Sequence, residues 1–265
     1  MMKRFLKILV CLLLALSVTA CSRNSNTAPK EKVFIKESEV NDMYSNPDNY
    51  KDKYVTFTGQ IFTDPEESND KLALQVYMDP KNAEKNTIVI CDKTDLKSND
   101  YVKVTGYIVG TFEGKNAFGG TVTAPQIIAE AIEKISYADA VAPTKHLIEV
   151  NQTKNSHGVS VTLEKVELAD NQTRVYFKIK NDSKYKYSFY SFNTKIIQNS
   201  KQYEEEDDYD ADYEELHGEI PSGVEEDGVI VFKAIENKDF KIISEGYSDN
   251  YDYDRDDFTF NITVK

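Results

Sequence analysis

Two stretches of the chain alternate apolar and polar residues in the same rhythm. Tyr54-Val55-Thr56-Phe57-Thr58-Gly59-Gln60-Ile61-Phe62 is echoed by Tyr101-Val102-Lys103-Val104-Thr105-Gly106-Tyr107-Ile108-Val109. A period of two belongs to a strand with one face in a core, and a glycine in mid-strand marks a bulge or a sharp bend. Between the copies, Leu72, Leu74 and Val76 give a strand over 72–77 one dry face, and residues 87–91 form a short apolar run. After the glycine-rich turn at 114–120, residues 121–135 carry Ile128, Ala131, Ile132 and Ile135, a spacing that suits a helix or a strand, with Pro125 interrupting. Ahead of all these, Val40, Met43 and Tyr44 follow Ser38 at helical spacing and stop at Pro47, which predicts a short helix over 39–45 with Ser38 as its N-cap.

From residue 153 onward the alternation continues with new partners. Strands are expected over 158–168, 174–181, 187–193, 195–198, 228–234, 240–245 and 258–264. In the second of these, Val175, Phe177 and Ile179 face one way, while Arg174, Tyr176 and Lys178 face the other and read as wet. Pro221-Ser222-Gly223 is a turn, and no long helical pattern interrupts the series.

The chain therefore reads as mainly all-β. Five short strands with bent first and fourth members describe a five-stranded OB barrel, and barrel closure favours the strand reading of 121–135. Seven antiparallel strands, each with one dry and one wet face, describe an immunoglobulin-like sandwich. Met43-Tyr44-Ser45-Asn46-Pro47-Asp48-Asn49-Tyr50-Lys51-Asp52-Lys53-Tyr54-Val55-Thr56-Phe57-Thr58-Gly59 resembles the opening of the tRNA-anticodon-like OB family found in bacterial lipoproteins, over about residues 36–138. Members of that family commonly have glycine where this chain has Asp52, and aspartate accepts the same turn geometry. Gly158-Val159-Ser160-Val161-Thr162-Leu163, the run from Thr173 to Asn181, Pro221-Ser222-Gly223 and Gly228-Val229-Ile230-Val231-Phe232 resemble a telokin-like lipoprotein domain of unknown function, grouped with immunoprotective extracellular antigens. Those positions are structural, so this likeness supports fold and location and supplies no site.

The amino terminus sets the address. A short basic start, an apolar run from Phe5 to Ala20 and Val18-Thr19-Ala20-Cys21 resemble a bacterial lipoprotein signal with its lipobox, which implies a lipid on the Cys21 sulfur and cleavage before it. The expected order is signal peptide 1–20, lipidated tether 21–37, OB domain 38–138, linker 139–152 and sandwich 153–265. The implied place is the extracytoplasmic face of the cell membrane, with the lipid as the membrane partner.

Charge narrows the partners. The whole chain carries Lys+Arg 32 against Asp+Glu 45, a net −13, and loss of the basic signal leaves −16. Residues 151–265 hold −11 of that and residues 21–150 hold −5. No basic stripe is available to grip a phosphate backbone, and the barrel strands that carry ligands in other OB folds offer only Lys71, Gln75 and Tyr77, so no nucleic acid is expected. After processing Cys91 is the single remaining cysteine, set in an apolar run, and reads as a small buried hydrophobe.

Chemistry has little to stand on. His146, His157 and His217 lie far apart and lack metal-ligand spacing; no phosphate loop or nucleophile elbow is present, so no enzyme and no catalytic residue is expected. One feature is acidic. Asp208, Asp210 and Asp212 repeat the first three ligand positions of an EF-hand, with Glu219 at the twelfth, but Tyr213 stands where the sharp turn needs glycine. A looser calcium site joining these to Asp252 and Asp254 is the alternative, the only cofactor the sequence suggests, and would make the protein a calcium-binding surface or adhesion lipoprotein. The interleaved Tyr209, Tyr213, Tyr251 and Tyr253 suggest instead a surface for a protein partner, steered by the acidic frame toward basic groups. The leading expectation is a non-catalytic binding or adaptor module at the envelope, with an accessory subunit of an envelope enzyme as a further alternative.

Overall fold

A computed structural model of the chain describes residues 28–29, 31–115, 119–208 and 210–264. It is mainly β and divides into two units, Met1–Val141 and Ala142–Lys265. The segment expected as a signal peptide, Cys21 and Tyr209 lie outside the described residues. Among the described residues no helix is long and apolar enough to cross a membrane.

The first unit contains helix α1 (Val40–Ser45), strands β1 (Tyr54–Ile61), β2 (Glu66–Ser68), β3 (Lys71–Asp79), β4 (Glu84–Asp92), β5 (Tyr101–Lys115) and β6 (Thr121–Ile135), and helix α2 (Tyr137–Val141). They form one sheet in the order β1-β5-β6-β4-β3-β2. A further pairing of β1 with β3, at Gln60↔Tyr77 and Ile61↔Val76, returns the order on itself, so five strands close a ring. Val55, Phe57, Leu74, Val76, Val89, Val102, Val104, Ile108 and Ile127 of these strands form one buried core with Met43 of α1. The ambiguous segment 121–135 is strand β6, antiparallel to β5 and parallel to β4. Pro125 is tolerated because it sits opposite Thr111, just before the β4 pairing begins at Gln126. Cys91 is buried, and that burial pushes its thiol up to about 11, which keeps it a neutral packing group.

Two boundaries differ from expectation. Ser38 is not the cap of α1: it lies within a turn of 3₁₀ helix at Glu37–Glu39, and Glu39 precedes the α-helix. Residues 33–35, expected within the tether, are held in place: the amide of Tyr54 donates to the carbonyl of Val33 (2.8 Å) and that of Ile35 to the carbonyl of Tyr54 (2.8 Å). The brief Val33-Phe34-Ile35 cluster is thus held to the start of β1.

The second unit has β7 (His146–Ser156), β8 (Val159–Leu168), β9 (Gln172–Asn181), β10 (Tyr187–Ser188), β11 (Lys195–Gln198), β12 (Lys201–Tyr203), β13 (Glu219–Ile220), β14 (Glu225–Lys233), β15 (Phe240–Ser248) and β16 (Asp256–Ile262). One sheet runs β14-β9-β8-β7; the other runs β12-β11-β15-β10-β13, with β16 added beside β15. Both contribute to one apolar core, in which Phe177 of β9 lies 5.7 Å from Phe189 and 6.0 Å from Phe260 between ring centroids.

The segment 139–152, expected as a linker, is largely structured: α2 fills its start and β7 begins at His146. Strand β7 is an edge strand, mostly exposed, with only Ile148 and Val150 turned toward the core. An edge strand wet on nearly every position reads like a linker. Residues 187–193 form a two-residue strand followed by a 3₁₀ turn at Ser191–Asn193 rather than one continuous strand.

Candidate functional site

The acidic run after β12 is tied down by its backbone. Glu205 forms an antiparallel bridge with Phe232, the Glu206 amide donates to Val231 (2.8 Å), and the Val229 amide donates to Glu214 (2.8 Å). Strand β14 pairs with β9 on one side only, so this run occupies its other edge and blocks it to further strand pairing.

Its side chains then fold over the outer face of β9. Gln172, oriented to satisfy its neighbours, accepts from the Tyr213 hydroxyl (2.6 Å) and from Arg174 Nη1 (2.9 Å) and donates to Asp208 Oδ2 (3.2 Å). The Tyr213 ring stands 5.8 Å from the guanidinium carbon of Arg174. Burial raises the Tyr213 phenol. Tyr213 is therefore a half-buried anchor of the run rather than a surface offered to a partner.

Arg174, expected on a wet face, is 0% exposed. Its Nε and Nη2 bond Glu167 Oε2 (2.9 and 2.8 Å), Nη1 donates to the Ala142 carbonyl (2.8 Å) and Nη2 also donates to Thr144 Oγ1 (2.6 Å). Glu167 receives Lys165 Nζ (2.6 Å) and Tyr176 Oη (2.9 Å) as well. Burial alone would raise the Glu167 carboxyl; the hydrogen bonds from Lys165, Arg174 and Tyr176, with the Arg174 charge, outweigh it and hold the group at about 2. The chain covers its own wet face here, through residues 142–144 on one side and Tyr213 on the other.

The second acidic run behaves differently. Asp252 and Asp254 are exposed, Tyr251 is 98% exposed, and Tyr253 stacks on His157 (3.9 Å, 11°). Asp256 alone turns inward, accepting from Ser156 Oγ (2.5 Å) and Tyr187 Oη (2.9 Å) and bonding His157 Nδ1 (2.8 Å). The Tyr187 phenol lies over Gly246, where any side chain would collide with it. Burial and the Asp256 carboxylate raise that phenol. Ser156 Oγ also lies 3.2 Å from His157 Nδ1, and the trio fastens the β7–β8 turn to Asp256. Asp256→Ala should cost about 3 kcal/mol by leaving the Tyr187 hydroxyl buried without an acceptor. The measurement is hydrogen-exchange protection in β10 and β16, which Tyr253→Leu, loosening only an exposed stack, should leave almost unchanged.

The five aspartates singled out for a cation are thus divided. Asp208 is engaged by Gln172, Asp210 and Asp212 are exposed on one run, and Asp252 and Asp254 are exposed on another. Among the described residues, no three of His, Cys, Asp and Glu converge on a point that would hold a metal ion. On the barrel, Lys71 is bonded to Asp92 (2.5 Å), Gln75 is buried, and Tyr77 is stacked on Phe62 (3.8 Å, 11°).

What the structure exposes most clearly is a feature that strand patterning hid. The 3₁₀ turn at Ser191–Asn193 throws Phe192 outward, 63% exposed, and stacks it on Tyr190 (5.2 Å, 11°). Ser191 Oγ, between the two rings in sequence, donates to Glu205 Oε2 (2.9 Å). A groove of about 640 Å³ runs alongside, lined by residues 201–206 and Lys233. Tyr247, Tyr251 and Tyr253 add further exposed aromatic area on the same acidic unit.

No family model matches the chain, and no curated protein matches it. Among solved structures, a functionally unknown protein from Listeria monocytogenes EGD-e is similar at 13% identity and a TM-score of 0.40, over 49% of this chain and 94% of its own. A conserved domain protein from Bacillus anthracis is similar at 8% identity and 0.36, over 78% of this chain and 92% of its own. The secreted serine protease VesC from Vibrio cholerae is similar at 9% identity and 0.29, over 90% of this chain and 50% of its own. At these scores the likenesses carry no argument about function.

Proposed function

We propose that the protein is a lipid-anchored envelope protein, an OB-fold barrel followed by an immunoglobulin-like sandwich, that acts as a non-catalytic binding or adaptor module for a protein partner. The observation that carries the reading is the coincidence of exposed aromatic side chains, Phe192, Tyr247, Tyr251 and Tyr253, with the unit that holds most of the negative charge. Aromatic side chains exposed to water gain most by burial against a partner, and an acidic frame steers a basic one toward them. The ring of five strands closed by β1 and β3 supports the OB assignment, and two sheets over one core support the sandwich. The lipid anchor rests on the signal-like segment and Cys21.

Capture of envelope proteins on the immobilised chain lacking only residues 1–20 tests the reading. A partner with a basic surface, retained at low salt and released at high salt, is the expected result. Turnover of an envelope substrate by the chain alone, or no retention of any envelope protein, would overturn it.

A further inference from the structure

We propose that Tyr190, Phe192 and Glu205 form a receptor for a single arginine side chain presented by a partner protein. This deepens the binding-module reading and rests on it. Phe192 is 63% exposed and stacks on Tyr190, which is half-buried and backed by main chain. A side chain at Gly218 would come within 2.7 Å of the Tyr190 ring, so the backbone there lies directly behind it. The Phe189 amide donates to the Gly218 carbonyl (2.8 Å) and fixes the two segments together.

Glu205 supplies the charge. Its main chain is fixed by the bridge to Phe232, and its carboxylate is oriented by Ser191 Oγ (2.9 Å). Its neighbours have cations: Glu204 is near Lys195 (3.5 Å) and Glu206 near Lys233 (3.3 Å). Glu205 has none within ion-pair distance among the described residues. Burial raises its carboxyl, and repulsion from Asp207 and Glu215 adds to that, so the ionised form stands where a countercharge is wanted.

An aromatic face beside an anion without a counterion matches a guanidinium, which stacks on rings through its plane and bonds a carboxylate through its edge. A hard metal ion would want six or more oxygens and gains nothing from the rings. A lysine ammonium satisfies the charge but lacks the flat surface, and should bind several-fold more weakly. The groove beside Glu205, lined by residues 201–206 and Lys233, gives room for the main chain on which the arginine is carried.

The test is titration of the chain lacking residues 1–20 with the capped peptide Gly-Gly-Arg-Gly-Gly, followed by aromatic carbon resonances. The expected result is a saturable shift of the Phe192 and Tyr190 signals, weakened about tenfold by Phe192→Ala and by Glu205→Gln, with Asp252→Asn without effect. The same peptide with citrulline, which keeps the shape and loses the charge, should not bind. Amide spectra identify any variant that fails to fold, and the citrulline comparison on the unaltered protein reads the same point without a variant. Shifts that are absent, or that weaken equally with Asp252→Asn, overturn the receptor. If the peptide leaves Phe192 untouched while envelope capture persists, the receptor falls and the binding module stands. If the peptide binds as described and no envelope protein is captured, the receptor stands and the module reading falls.

Discussion

Replacing Arg174 with alanine should cost the second unit about 3 kcal/mol, because it takes the buried guanidinium from the Glu167 carboxylate, which keeps only Lys165 and Tyr176, and from the Ala142 carbonyl. The guanidinium is fully buried, bonds Glu167 twice and holds both the Ala142 carbonyl and the Thr144 hydroxyl. Residue-level hydrogen exchange is the suitable probe, since the chain has two units and no tryptophan. Protection of the β8 and β9 amides should fall by about two orders of magnitude or more. The double change Arg174→Met with Glu167→Met should recover much of the loss, because removing both charges removes the penalty of leaving a covered carboxylate without its buried partner. Failure to recover would mean that packing and the Ala142 and Thr144 contacts, rather than the ion pair, carry the cost.

The same pair sets an acid limit. The folded protein holds the Glu167 carboxyl at about 2, below its ordinary value, so folding favours the ionised form. Its stabilisation is complete above the unfolded value and is lost as the pH falls through that value toward about 2. Glu167→Gln should therefore be less stable than the parent at neutral pH and show a flatter decline between the two values.

The second large effect belongs to the sheet of the first unit. A side chain at Gly106 would collide with the carbonyl oxygen of Ile128 and stand 2.9 Å from the Ala129 Cα, both main-chain atoms of β6. Main chain inside a paired ladder cannot move aside without breaking its hydrogen bonds, so Gly106→Val should cost about 3 kcal/mol or more. Exchange protection in β5 and β6 should fall together. Gly119 is the contrast: nothing lies within 4 Å of an added Cβ there, but its φ is +78°. Gly119→Ala should cost only about 1 kcal/mol, from backbone conformation alone.

Glycine also explains why the first unit's strands are legible. Gly59 and Gly106 occupy the same place in two echoing strands, and each lies against the main chain of a neighbour, Tyr77 for one and Ile128 for the other. A need for bare backbone leaves a sign in the sequence. Strand β7 left none, since an edge strand with two inward apolar residues has no alternation to read. Arg174 was assigned to a wet face because its strand alternates correctly; what covers it arrives from residues 142–144 and from Tyr213, distant in sequence. Tyr213 is expected on a partner-facing surface, yet it turns inward to bond Gln172 of β9, and in the second acidic run Asp256 turns inward to bond Tyr187. Phe192 was placed inside a continuous strand, and the 3₁₀ turn that exposes it carries no glycine or proline to announce it. Composition reports how much of the chain is acidic or aromatic; which of those residues remain outside depends on contacts between segments far apart.

The most direct test of an anchored binding module is made in cells. The full chain carries a photoreactive phenylalanine in place of Phe192, and in a second version in place of exposed Asp170, each with Cys21 intact or changed to alanine. The account predicts a membrane-bound chain with lipid on Cys21, and a discrete protein adduct from position 192, absent from position 170 and lost with Cys21→Ala. A chain found unacylated and free of the membrane, or adducts formed equally from both positions, would contradict it.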